Sequence, residues 1–593
     1  MTSVLKSFCI ALIFLIISGE NFALGIKYSL NFNDAQTHYI NVSMRITDIN
    51  ESQLLLKIPV WTPGSYMLRE FSKNVESVQA FAGKTNIEII KTRKNTWQIN
   101  TTNKKEILVT YSYYANELTV RTCHTDAEHA FINPSNICMY IDGHVDVPST
   151  IEINPYSNWN KISTPLAQVG DNQWTRTATN YDEFADSPIE MGNHQTMMFN
   201  YNDAEHEIAI FGDVKCDEKK VVNDFKKIIK ECENVFGELP YKRYVFFSQH
   251  FAGGGGGLEH KNSCSLQSGI NTFDSISSYK GYLGLVAHEY FHCWNVKRLR
   301  PAPLGPFDYD NENYTQLLWI AEGFTAYYDD LLTYRAGFLT EEEYTKAFAG
   351  SVSYVLHVPG NNVQSLAESS FDAWIKYYRP NENSQNATIS YYTKGSVVAW
   401  MLDLEIIKNT KGKKCLDDLM RLMYNKYFKE LDRAFTFEDF LQEVNTLVGK
   451  DMSPFFEKYV FAASATPDIE ELKQGGINLI VTLDSSLSFG SGIKTSGTQG
   501  YTKVTSVNRN SAAWQAGINS DDFITQINKV TVKNNFDSLY NAQPIGSEIN
   551  FTLIRRNHLT SVFATKKMLP VYQVKILPYR ENKLYYYKWL HRN

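Results

Sequence analysis

The hydrophobic period of this chain changes twice, and that rules out one uniform fold. From Ile26 to Tyr181 apolar residues alternate in short runs, as in YSLNFNDAQTHYINVSMRIT, SQLLLKIPVW, TWQINTT and EILVTYSYYA, with turn residues between them. A period of two belongs to half-buried strands, so this region reads as a β domain. From Asp213 the period lengthens. EKKVVNDFKKIIKECENVFG, LWIAEGFTAYYDDLLTY, SVVAWMLDLEIIKNT and FTFEDFLQEVNTLV each gather apolar residues on one helix face, and the pattern lasts to about Ser464. After ATPDI the short runs return in GINLIVTLD, YTKVTSVN, DFITQINKVTV and EINFTLIRRN, with SAAWQAGI as a short helix between the second and third. A chain of 593 residues has the length for three or four domains, and the changes of period separate them. The reading is a multidomain α+β protein: an N-terminal β domain over 25–190, a mostly helical catalytic domain over 191–465, a C-terminal β module over 466–570, and a basic, aromatic tail over 571–593.

Residues 1–24 follow neither period. Lys6 precedes the apolar run CIALIFLIIS, which fades into GENFALG, the layout of a secretory signal peptide. The run is too short to cross a bilayer comfortably, and no later stretch approaches about 18 consecutive apolar residues, so no membrane span is expected once the leader is removed. The expected destination is secretion, to a bacterial periplasm or cell envelope. Seven cysteines follow the leader, and the odd count leaves at least one unpaired. The separations of Cys123 from Cys138 and of Cys216 from Cys232 permit disulfides in an oxidising compartment, and no C-x-x-C pair suggests a cysteine-bound metal. A formal charge of -6 without a long basic run argues against a nucleic-acid partner.

The chemistry concentrates in LVAHEYFHCWNVKRLRP, from Leu285 to Pro301. On a helix His288 and His292 stand one turn apart and point the same way, as two imidazoles must to grip one ion. Glu289 lies about 100° further round, where it can serve a water without becoming a ligand. Val286, Tyr290 and Cys293 supply an apolar ridge that buries the helix. A third protein ligand is offered by Glu322 in LWIAEGFTAYYDDLL, near the start of a second helix marked by Ile320, Phe324, Tyr327 and Leu331. Two histidines and one glutamate would leave the fourth position of a single zinc ion to water.

HEYFHCWNVKRLRP, WIAEGFTAYY, the glycine run ending in GGLEH and the later YYTKG together resemble the glycyl aminopeptidase family of zinc metallopeptidases, of gluzincin type. The resemblance extends to KIPVWTPGSYMLREFSKNVE and YYANELTVRTCH in the β domain. It implies a thermolysin-like catalytic domain and more distant similarity to alanyl aminopeptidases and leukotriene hydrolases, although here 29 residues, rich in Pro and Asn, separate His292 from Glu322. By motif, Glu259 matches the acidic residue that receives a substrate's free amino group, and the tyrosine opening Y-T-K-G, Tyr392, matches the donor to the oxyanion. Gly256 and Gly257 would let backbone approach a peptide closely, as an edge strand for β pairing. The implied function is release of small N-terminal residues, glycine or alanine, from peptide or protein substrates: zinc lowers the pKa of a water toward ~7 and Glu289 takes its proton.

SVNRNSAAWQAGINSDDFITQINKVTV resembles the PDZ domains of secreted bacterial proteases, with Ser520 and Lys529 in place of expected glycines. That implies a possible C-terminal peptide as a partner, its carboxylate held near SLSFG. Two rivals follow from the same residues. One is a zinc endopeptidase to which the PDZ-like module presents substrate, and the other is a non-catalytic peptide-binding protein.

Overall fold

A computed structural model describes residues 24–483, 491–498, 501–567 and 572–591. The leader therefore lies outside the described residues except for Leu24, as do 484–490 with the SLSFG stretch. In the N-terminal region an eight-stranded sheet is centred on Gly25–Asn31, Tyr39–Thr47 and Glu106–Tyr114, and two four-stranded sheets accompany it. Alternation appears directly in burial: in Tyr39–Thr47, Ile40, Val42, Met44 and Ile46 face the core while their neighbours do not. These sheets enclose one apolar core, which includes Tyr28, Trp97, Tyr111 and Phe184.

The second region begins with a sheet. Gln195–Tyr201, Ala204–Phe211, Arg243–His250, Ser263–Ser268 and Gly256–Glu259 lie side by side in that order, so the glycine strand forms an edge. The expectation of a mostly helical unit overlooked this sheet for a physical reason. Arg243–His250 is paired on both edges with parallel neighbours and buried on both faces, so its apolar run Tyr244–Phe247 shows no alternation. Helices Glu218–Phe236, Ile276–Phe291, Phe324–Arg335, Glu341–His357 and Thr393–Asn409 then pack into a second, larger core.

The C-terminal module has a core of its own, built on Ile493–Thr498, Tyr501–Val507, Phe523–Ile527, Glu548–Arg555 and His558–Thr565, with short helices Ala512–Gln515 and Phe536–Asn541. Gln385 and Asn386 of the helical unit hydrogen-bond to Ser506, Val507, Asn508 and Arg509 and so tether it. The segments flanking it depart from the expected division. Ile477–Leu483 pairs with Tyr572–Pro578, and the helix Lys583–His591 follows, with Trp589 buried against Trp400 and Phe348. The sheet module is thus inserted between two pieces of the helical core. All seven described cysteines are free, so neither disulfide that the spacing permits is formed. No described helix is long and apolar enough to cross a membrane.

Candidate active site

The helix Ile276–Phe291 is fully buried along Val286, Ala287 and Tyr290, which fixes its rotation and turns His288 and Glu289 inward; His292 caps its end. Glu322 sits in a π-helical turn, Trp319–Gly323, that runs into the helix Phe324–Arg335. Such turns displace a side chain from ordinary helical register and are frequent at functional sites. The structure brings the three expected donors together: Glu322 Oε2 lies 3.2 Å from His292 Nε2 and 3.8 Å from His288 Nε2. Donors on a tetrahedral zinc at about 2.0–2.1 Å stand roughly 3.3 Å apart, so two imidazoles and this carboxylate fit the ion in type and spacing.

Each donor is itself held. His288 Nδ1 lies 2.9 Å from Asp329 Oδ2, and His292 Nδ1 donates to the Asn295 carbonyl at 2.8 Å. Such partners fix which nitrogen stays free for an ion. The Asn295 side chain donates to the carbonyls of Ile320 and Ala321 and to Thr325 Oγ1, which joins the loop after the first helix to the turn carrying Glu322. Burial pushes the Glu322 carboxyl up, but the imidazoles of His292 and His288 outweigh it and hold it at about 2. Burial likewise pushes Glu289 up, to about 7, against the pull of the same two histidines.

Glu289 depends on the glycine strand for its space. A Cβ on Gly257 would stand 2.1 Å from Glu289 Oε1, so only glycine lets the edge strand and the carboxylate meet. Gly256, beside it, is exposed at the strand's start. Two residues beyond Gly257, Glu259 is buried, with Oε1 lacking any hydrogen-bond partner among the described residues. A donor atom each of Glu259, Glu289 and His292 lies within 4.8 Å of the others.

Tyr392 enters from the opposite side. Its ring lies 6.2 Å from that of His288 and 4.7 Å from that of Tyr391. A glycine contact places it there: a Cβ on Gly323 would fall 2.5 Å from Gly395 Cα, so E-G and Y-T-K-G cross with their backbones touching. Burial, then the Glu322 charge, raises the Tyr392 phenol well above its usual value and keeps it a neutral donor. Tyr391 is the more buried of the two, and its hydroxyl has no hydrogen-bond partner among the described residues.

Sequence reasoning missed the residues that the β domain contributes. Tyr66 donates to Glu322 Oε1 at 3.4 Å, and a Cβ on Gly64 would stand 2.7 Å from both oxygens of Glu259. Arg121 Nη2 donates to the Gly257 carbonyl at 3.3 Å. Gly64 and Tyr66 lie in KIPVWTPGSYMLREFSKNVE and Arg121 in YYANELTVRTCH, so the available signal was the family resemblance of those two stretches. It also left Lys297 and Arg298 without roles. Lys297 pairs with Asp186 of the β region at 2.7 Å, and Arg298 donates to the Lys261, Cys293 and Pro240 carbonyls and to Asn262.

Comparison with known proteins agrees with this architecture. Residues 27–193 match the Peptidase M61 N-terminal domain, and residues 281–398 match the M61 glycyl aminopeptidase domain. A crystal structure of an aminopeptidase N family protein from Idiomarina loihiensis superposes with a TM-score of 0.89 at 27% identity, over 95% of this chain and 100% of that one. Yeast LTA4 hydrolase in complex with bestatin aligns at 12% identity and a TM-score of 0.48, over 75% of this chain and 69% of that one. An M1 zinc metallopeptidase from Deinococcus radiodurans aligns at 12% identity and a TM-score of 0.46, over 75% and 96%. No curated protein matches the sequence at a significant level.

Proposed function

We propose that this metallopeptidase, which carries both M61 domains, is a zinc-dependent aminopeptidase releasing small N-terminal residues, glycine or alanine, from peptides. His288, His292 and Glu322 would hold one zinc ion, which when bound supplies a Lewis acid for a water and for the scissile carbonyl. Glu289 removes the proton of the attacking water and returns it to the leaving amine. Tyr392 donates to the carbonyl oxygen as charge gathers there. The strand bearing Gly256 and Gly257 lies along the peptide as the edge of its sheet, with Arg121 already donating to the Gly257 carbonyl.

The observation that carries the exopeptidase reading is the orphaned oxygen of Glu259. A buried carboxylate without a partner is costly, and the ammonium of a peptide's first residue would pair with it. An endopeptidase has no use for that charge. The reading is tested with one peptide in free and N-acetylated forms. Cleavage of the free form alone is expected, and equal cleavage of both overturns it.

The leader-like layout of residues 1–24 supports, as part of this proposal, export to a bacterial periplasm or cell envelope with those residues removed; the amino-terminal sequence of the mature protein tests it. It also makes the C-terminal module a PDZ-like reader of peptide C-termini, supported by a strand order around the short helix Ala512–Gln515 that suits such a module. Binding of free-acid but not amidated peptides to the full chain is the expected result.

A further inference from the structure

A second cluster of metal-ligating side chains lies in the β region, outside the peptidase site. Strands His124–Thr125 and His129–Ile132 form a hairpin whose sequence, HTDAEH, places His124, Asp126 and His129 around one turn. A donor atom of each lies within 4.8 Å of the others. We propose that this H-x-D-x-x-H hairpin binds a divalent transition-metal ion.

Two of the three donors, Asp126 and His129, are held by contacts that an ion would not disturb, while His124 Nδ1 has no partner among the described residues. Asp126 Oδ1 accepts from the amides of Glu128 at 2.7 Å and His129 at 3.0 Å, which pins the carboxylate and leaves Oδ2 facing His124 Nε2 at 3.1 Å. His129 is almost wholly buried, and its Nδ1 lies 2.8 Å from Glu190 Oε1. Glu190 is buried as well, and its other oxygen accepts from Gln249 at 2.7 Å. A carboxylate behind Nδ1 keeps the proton on that nitrogen and the lone pair on Nε2, the arrangement that supports histidine as a metal ligand. The rings of His124 and His129 lie 5.2 Å apart.

Two imidazole nitrogens and one carboxylate oxygen suit zinc and its divalent neighbours rather than calcium or magnesium, which prefer all-oxygen sites. His124 and Asp126 are partly exposed, with side-chain accessibilities of 12% and 33%, so solvent can complete the coordination and an ion can enter. The bound ion would cross-link the two strands of the hairpin, which is joined to the strand Ile189–Gly192 by pairing and by the His129–Glu190 contact. It would thereby anchor the loop that carries Arg121 to the glycine strand.

The test is metal stoichiometry of the full-length protein, stripped with chelator, returned to Zn²⁺ and dialysed. Two ions per chain are expected in the wild type, one in His124→Gln/Asp126→Asn and one in His288→Gln/His292→Gln. The hairpin substitutions fall on partly exposed side chains and leave the buried His129 and Glu190 in place. A thermal readout covers the case of altered folding: Zn²⁺ should raise the Tm of the His288→Gln/His292→Gln protein, and the shift should vanish when His124→Gln/Asp126→Asn is added. A His288→Gln/His292→Gln protein that holds no ion and shows no shift overturns the hairpin site, as does a hairpin variant that keeps the wild-type count. A hairpin that binds while the His288 and His292 substitutions remove nothing would instead leave this inference standing and sink the zinc peptidase reading.

Discussion

The helical wall of the site and its sheet wall are built on different length scales. On the helical side His288, Glu289 and His292 come from one helix and its cap, and Glu322 and Asp329 come from the next. On the sheet side Gly257 and Glu259 come from an edge strand, while Gly64, Tyr66 and Arg121 reach in from the N-terminal β region. The helical wall carries the groups that could hold an ion and move a proton. The sheet wall carries the groups that, on the proposed reading, would shape where a peptide lies. On that reading chemistry is concentrated in a local segment, and recognition is spread over two domains whose packing must be right before the site exists.

The largest effect is expected on the helical side. Glu289→Gln keeps the shape and loses the base, so kcat should fall by ~10²–10⁴-fold while zinc content stays unchanged. Steady-state kinetics with metal analysis checks both halves, and near-normal kcat would remove Glu289 from the reaction. The matching break on the sheet side is Gly257→Ala. Its added Cβ would stand 2.1 Å from Glu289 Oε1, so the carboxylate or the strand must move, and displacements on the ångström scale cost ~10²-fold in rate. The loss should appear in kcat, and any fall in Tm should come from the overlap with Glu289 alone, because Gly257 has no left-handed backbone to defend. An alanine protein as active as the wild type would mean that the two walls are not in register as the structure has them.

The same division explains what could be read in the sequence. His288, Glu289 and His292 are legible because a helix turns a spacing of four into a shared face, and Glu322 follows from a second helical pattern. Glu259 and Tyr392 needed a family resemblance, since an isolated glutamate after glycines or a tyrosine pair carries no period. Asn295 stood in plain view, yet its task depends on carbonyls freed by the π-helical turn, which no periodicity announces. Tyr66 and Arg121 are separated from their partners by 256 and 136 residues, and only the packed fold brings them close. The strand Tyr572–Pro578 was hidden likewise, because its partner Ile477–Leu483 lies on the far side of an inserted module. HTDAEH spells its own spacing, but the step of two from His124 to Asp126 fits no helix face, and only the hairpin brings His124, Asp126 and His129 together.

The smallest effect tests whether the β region tunes the helical wall or only covers it. Tyr66 is buried and donates to Glu322 Oε1, the oxygen turned away from the closest histidine contacts. At 3.4 Å the bond is long, so its contribution belongs at the low end of the about 0.5–1.5 kcal/mol typical of a hydrogen bond, or roughly 2–3-fold in kcat/KM. Tyr66→Phe removes the hydroxyl and keeps the ring against Trp374 and Tyr378, so packing is preserved. If the hydroxyl helps to orient Glu322, the variant should also release zinc more readily in a chelator titration. Unchanged zinc affinity with a raised KM would assign Tyr66 to the peptide-binding wall instead, and the boundary between the two walls would then run through Glu322 rather than behind it.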